Sequence, residues 1–171
     1  VLGNDGQTVN HSQDWSASLS GAWSDIKNLL EKMNSGSVKT LILHKVNPIY
    51  TLPTSFGFEE ALKKVEMVIT TSDRMDEVAE KAHYIAPDNH AFESWGDAEL
   101  TKGLIAIHQP TLRPLWDTRS FQLSLMTWAY LANQGPKRLL AYESYFEYLK
   151  NYWKEEIYPS HGKGKSFESF W

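Results

Sequence analysis

The chain has 171 residues, 42% of them hydrophobic and 22% charged, and a net charge of −4, the make-up of one domain with a core of its own. It holds no cysteine, which excludes disulfides, thiolate zinc sites, catalytic cysteines and cysteine-ligated iron–sulfur clusters from this segment. Without a basic run or a stretch of about 18 apolar residues, nucleic-acid binding and direct membrane insertion have no support.

Residues 1–21 are rich in Gly, Asn, Ser, Asp and Gln, lack periodicity and read as a leading loop. The chain starts at Val1 without a methionine or a visible signal peptide, and is read as a processed product or a piece of a longer protein. A helix is expected over 22–33, because Ile26, Leu29, Leu30 and Met33 recur at helical spacing. Gly36 suits its left-handed cap. A strand over 38–43 ends at the turn Asn47-Pro48. A second helix follows over 56–64, with Glu59–Lys63 and Glu60–Lys64 as supporting pairs.

A strand over 67–70 leads to a third helix over 73–81, capped by Asp73, with Met75, Val78, Ala79 and Ala82 facing inward. A third strand covers 83–86. Residues 87–120 are irregular apart from a strand over 104–108. Two helices, over 120–131 and 136–156, finish the chain. The first presents Phe121, Leu125, Trp128 and Ala132. The second presents Leu139, Tyr142, Phe146, Leu149 and Trp153, with Pro159 just past its end. Residues 160–171 read as an extended tail.

Strand and helix alternate through 38–87, the pattern of a parallel sheet. The expected fold is therefore α/β: a three-layer, Rossmann-like or flavodoxin-like, mostly parallel sheet flanked by helices, with two C-terminal helices. Residues 22–135 form the main unit, and 136–171 complete the same domain. The seven Trp, eight Tyr and seven Phe, crowded after residue 115, supply core or a docking face.

The sequence carries few chemical motifs. Its six histidines show no metal-ligand spacing, and there is no nucleophile elbow, P-loop or glycine-rich dinucleotide fingerprint. Glu93 and Asp97 offer a carboxylate pair for acid–base work, or ordinary turn caps. The topology offers more. In a parallel sheet Asn47, Thr71, Ser72, Asn89 and His90 come to one edge, where ligands of open α/β sheets bind. Helices two and three would aim their N-termini there, suiting a phosphate-bearing ligand or a docked loop.

The order of apolar strand, Asn47-Pro48, a Phe58…Ala61-Leu62-Lys63 helix, Thr70-Thr71-Ser72, Ala82-His-Tyr-Ile-Ala-Pro87, Glu93-Ser-Trp-Gly96, Gly103 and Gln109-Pro110 resembles the α/β domain of dimethyl sulfoxide reductase-type molybdopterin oxidoreductases. The string His90-Ala-Phe-Glu-Ser-Trp-Gly-Asp97 is similar to the molybdopterin-like/iron–sulfur subunit of alternative complex III, a quinol-oxidising membrane complex. The resemblance covers residues 22–132.

That branch implies a scaffold without pterin, on the periplasmic side of a bacterial inner membrane complex. Its partners would be other domains of the same chain and other subunits, and its iron–sulfur clusters would lie elsewhere in a longer chain. The catalytic branch implies instead that Asn47, Thr71, Ser72 and His90 contact a molybdopterin guanine dinucleotide. Three departures from the catalytic pattern favour the scaffold: Lys45 where a glycine is usual, His83 where an aspartate is usual, and Leu104 where an arginine is usual.

Overall fold

The structure, a computed structural model, describes residues 2–10, 21–133 and 142–171. Helix α1 (Trp23–Asn34) leads into strand β1 (Thr40–Leu43). The short α2 (Pro48–Thr51) and α3 (Phe58–Leu62) then precede β2 (Met67–Thr70) and β3 (Tyr84–Ile85). The three strands form a parallel sheet in the order β1-β2-β3, with Leu41 opposite Val68 and Thr70 opposite Ile85. The fold is α/β, a parallel sheet flanked by helices.

Leu30 and Met33 of α1 are buried against Leu43, Phe58, Leu62, Val68 and Val78, a continuous and mainly aliphatic core. Each such side chain contributes about 1.5–3 kcal/mol of burial. Gly36 ends α1 at φ +72° and donates to the Met33 carbonyl at 3.0 Å, the expected left-handed cap. Strand alternation puts Ile42 and Met67 on the opposite face of the sheet, where they stay 38% and 40% exposed.

The expected third helix does not form. Residues 73–81 follow bends and a turn, with a single 3₁₀ turn at Ala79–Lys81. The cause is local: the Asp76 carboxylate accepts from the Ser72 hydroxyl at 2.7 Å and from the Ala79 amide at 2.8 Å, bonds that compete with a helical ladder. Asp73 pairs with Arg74 instead of capping. Val78 and Ala79 are buried as expected, while Met75 is 67% exposed.

The helix expected over 56–64 is shorter, since Gly57 turns left-handed before it. Neither expected i,i+4 pair appears. Lys63 pairs with Glu60, Glu59 with Lys81, and Lys64 donates to Asn34.

A strand missing from the sequence reading is β4 (Gly96–Thr101), antiparallel to β5 (Leu104–His108). The hairpin turns at Lys102-Gly103, where Gly103 has φ +84°. Helix α4 (Phe121–Leu131) starts where expected, capped by the Ser120 hydroxyl. It buries Ser124 and Met126, while Leu125 of the expected face is exposed.

The last helix also differs. Residues 136–141, with Leu139, lie outside the described residues. Helix α5 spans Tyr145–Tyr152, capped by Ser144, so Tyr142 precedes it. A π-helical turn (Trp153–Ile157) passes into α6 (Tyr158–His161), and Pro159 sits inside α6 rather than beyond a helix end. The tail is not extended. Its α7 (Phe167–Phe170) and Trp171 fold back onto Trp95, Phe146 and Trp153.

Candidate functional site

All four candidate residues line one cavity of about 430 Å³ at the carboxyl edge of the sheet, together with Lys45, Asp88 and Asn89. Three strand ends build it. Leu43 accepts the Thr71 amide, and Thr71 accepts the Asp88 amide, so the loops after β1, β2 and β3 are sewn together.

Each candidate side chain has internal work. Asn47 caps α2 by accepting the Tyr50 amide, and its Nδ2 donates to Glu77 at 2.6 Å. Thr71 Oγ1 meets His44 Nδ1 at 3.0 Å and accepts the Lys45 amide. Ser72 donates to Asp76. His90 Nδ1 accepts the Phe92 amide. Asn89 Oδ1, from the fifth residue expected at this edge, is a buried acceptor without a partner among the described residues.

Asp88, missed by the sequence reading, is the hub. Its carboxylate is buried; Oδ1 accepts the Asn89 and Phe121 amides at 2.9 Å, and Oδ2 pairs with Lys45 Nζ at 3.0 Å. His44 stacks on Phe121 at 3.9 Å between centroids and lies 3.9 Å from the same Oδ2. Burial lowers the His44 pKa, against the raising influence of Asp88, and Lys45 lowers it further. The sequence signal for Asp88 was its place straight after Pro87, at the end of the third strand.

Lys45 adopts φ +52°, a left-handed conformation that favours glycine. The position is thus one where glycine fits, and this chain places there a lysine tied to Asp88. The other two departures bear on the cavity less than the sequence reading supposed. His83 Nδ1 accepts the Val68 amide at the start of β3, away from the carboxyl edge. Leu104 follows the hairpin turn and does not line the cavity.

A pyrophosphate-bearing cofactor does not suit this lining. Among the described residues lining it, Asp73, Asp76 and Asp88 face two cations, Lys45 and Arg74, and His90. Lys45 is paired with Asp88, and Arg74 with Asp73 at 2.9 Å. Among the described residues, the buried unpartnered atom lining the cavity is Asn89 Oδ1, an acceptor, which repels phosphate oxygen. No helix N-terminus comes from 73–81. Glu93 and Asp97 each hold local structure, as turn caps and tethers do. Glu93 accepts the His90 and Leu115 amides, and Asp97 accepts the Trp153 indole at 2.8 Å. No cluster of three metal-ligating side chains occurs among the described residues.

No protein-family model matches the chain. It is 27% identical over 126 residues, 73% of its length, to the NADPH-Fe(3+) oxidoreductase subunit alpha of Geobacter sulfurreducens. It is 27% identical over 114 residues, 63% of its length, to the arsenate respiratory reductase molybdopterin-containing subunit of a Shewanella species. Over 85 residues, 47% of its length, it is 26% identical to the menaquinone reductase, molybdopterin-binding-like subunit of Nitratidesulfovibrio vulgaris. The matched stretches make up 15%, 13% and 12% of those proteins, so the chain spans a small part of the curated relatives it matches. The chain is thus similar, over part of its length, to subunits of oxidoreductases, two of them named for molybdopterin.

Proposed function

We propose that the chain is a scaffold domain of a molybdopterin-oxidoreductase-like iron–sulfur subunit, of the alternative complex III kind, in a respiratory quinol oxidoreductase. In this reading it holds no pterin and is not catalytic by itself. The observation that carries the reading is the Lys45–Asp88 pair across the sheet-edge cavity, with the side chains of Asn47, Thr71, Ser72 and His90 already engaged. The open face at Ile42 and Met67 adds support, because parallel sheets are normally covered on both sides. Other domains of a longer chain would cover it, and would hold the iron–sulfur clusters for which this cysteine-free segment has no ligands. The complex would sit on the periplasmic side of a bacterial inner membrane.

Calorimetric titration with guanosine diphosphate tests this. The expected result is no saturable heat, either with the chain itself or with Lys45→Gly, which takes a cation out of an acidic lining. Micromolar binding to the unaltered chain, abolished by Asn47→Ala, would overturn the proposal. It would support the second reading, a cofactor-binding domain of a catalytic molybdenum bis-guanine-dinucleotide oxidoreductase. What favours that reading is the cavity itself and the orphaned Asn89 Oδ1, an acceptor suited to a ligand N–H.

A further inference from the structure

A second cavity, about 440 Å³, lies between the β4–β5 hairpin and α5. Tyr145, Tyr148 and Tyr152 line it from the helix, at positions i, i+3 and i+7 of one face. Their rings form a row, with centroids 6.0 Å apart for Tyr145–Tyr148 and 6.4 Å for Tyr148–Tyr152. Asp97 and Glu99 line it from β4, two residues apart and so on one side of the strand.

Both carboxylates are fixed. Asp97 Oδ2 accepts the Trp153 indole, and Glu99 Oε1 accepts the Gly103 amide at 2.7 Å. Neither forms an ion pair with a described residue, and no lysine or arginine lines the cavity. Burial, and then the charge of Asp97, push the Tyr145 hydroxyl up to about 12. The tyrosine therefore stays neutral at ordinary pH, and the cavity presents aromatic rings beside two negative charges.

The same helix shows the complementary arrangement, already filled. Lys150 Nζ lies 5.9 Å from the ring centroids of both Phe167 and Trp171. The tyrosine side has the rings and the carboxylates, and no cation among the described residues lines it. We propose that this cavity binds an organic ammonium group, held by ring faces and by the two carboxylates. A small quaternary amine and a lysine side chain of a neighbouring protein share this chemistry.

The test titrates the 171-residue chain with choline, with Nα-acetyl-lysine amide and with uncharged 3,3-dimethylbutan-1-ol, following tyrosine ring resonances by NMR. Saturable shifts of the Tyr145, Tyr148 and Tyr152 rings with either cation, and not with the alcohol, are expected. Saturation by choline alone points to a free amine, and saturation by the lysine derivative to a partner's side chain. Tyr148→Leu should weaken binding roughly threefold to thirtyfold, and Tyr148→Phe should retain it. Glu99→Gln, which keeps an acceptor for Gly103, should weaken binding without unfolding the hairpin. Absence of saturable shifts, an equal response to the alcohol, or full affinity in Glu99→Gln would overturn the proposal.

Discussion

Residues 23–82 close around mainly aliphatic side chains, whereas the described residues of 95–171 close largely around rings. In the first region Leu30, Met33, Leu43, Leu62, Val65, Val68 and Val78 are buried together, drawn from one helix after another and from two adjacent strands. In the second, Leu149, Trp153 and Ile157 form the buried cluster, and the partly exposed Trp95, Tyr145, Phe167 and Trp171 surround them. Aliphatic side chains fill a continuous interior at high density. Rings meet edge to face or tilted, as Trp153 does with Trp171 at 5.7 Å and Phe170 at 6.0 Å, and leave cavities such as the tyrosine-lined one. The first region is thus expected to behave as a rigid unit, and the second as one whose stability hangs on a few large side chains.

The sharpest way to break this comparison is Trp153→Ala. It removes the ring at the centre of the cluster and leaves Asp97 without its indole donor. A loss of about 3–5 kcal/mol is expected. Hydrogen exchange should show the amides of β4 and β5 losing protection while those of β1 and β2 keep theirs. A uniform loss would mean that the two regions unfold as one. Met33→Ala, in the aliphatic core, should cost about 2–5 kcal/mol and produce the reverse pattern of exchange.

Asp88 sharpens the comparison from the junction. It belongs to the loop after β3, yet holds the Phe121 amide at the start of α4 and the ammonium of Lys45. Asp88→Ala leaves those donors without their acceptor and should cost about 1–3 kcal/mol in urea unfolding. Asp88→Asn, which keeps an acceptor oxygen for Phe121, should cost less. Equal losses in the two variants would show that charge, rather than the hydrogen bond to α4, ties the regions together.

The same contrast explains what could be read in advance. Met67–Thr70 is a compact apolar run, and Ile26, Leu29, Leu30 and Met33 repeat at helical spacing, so β2 and α1 follow from local pattern alone. The sheet edge followed in turn, and Asn47, Thr71, Ser72 and His90 do line one cavity. Strand β4 was hidden because Gly96, Asp97 and Glu99 are poor strand formers, held in place by β5 and by Trp153. The Lys102-Gly103 turn was the signal available for it. The tail's return was hidden for the same reason: Trp171 meets Trp95 across 76 positions, a pairing no local pattern encodes. Asp76 overrode the helical periodicity of 73–81 through two short-range hydrogen bonds.

The smallest expected effect lies at the contact between the regions, where His44 from the end of β1 stacks on Phe121 of α4. Burial holds its folded pKa below the ordinary value of 6.5. The folded chain therefore binds fewer protons than the unfolded chain between that lowered value and 6.5. The stability contributed by neutral His44 is fully present above the ordinary pKa, and is lost as pH falls through the folded one. Urea midpoints measured from roughly pH 7.5 down to 5 should fall accordingly, and His44→Gln should flatten that part of the curve. Lys45 is one cause of the lowering and Asp88 opposes it. Lys45→Gly should therefore bring the folded pKa closer to 6.5 and shallow the fall, whereas Asp88→Asn should deepen it. A curve unchanged by all three substitutions would place the pH dependence elsewhere and leave the His44–Phe121 stack as packing alone.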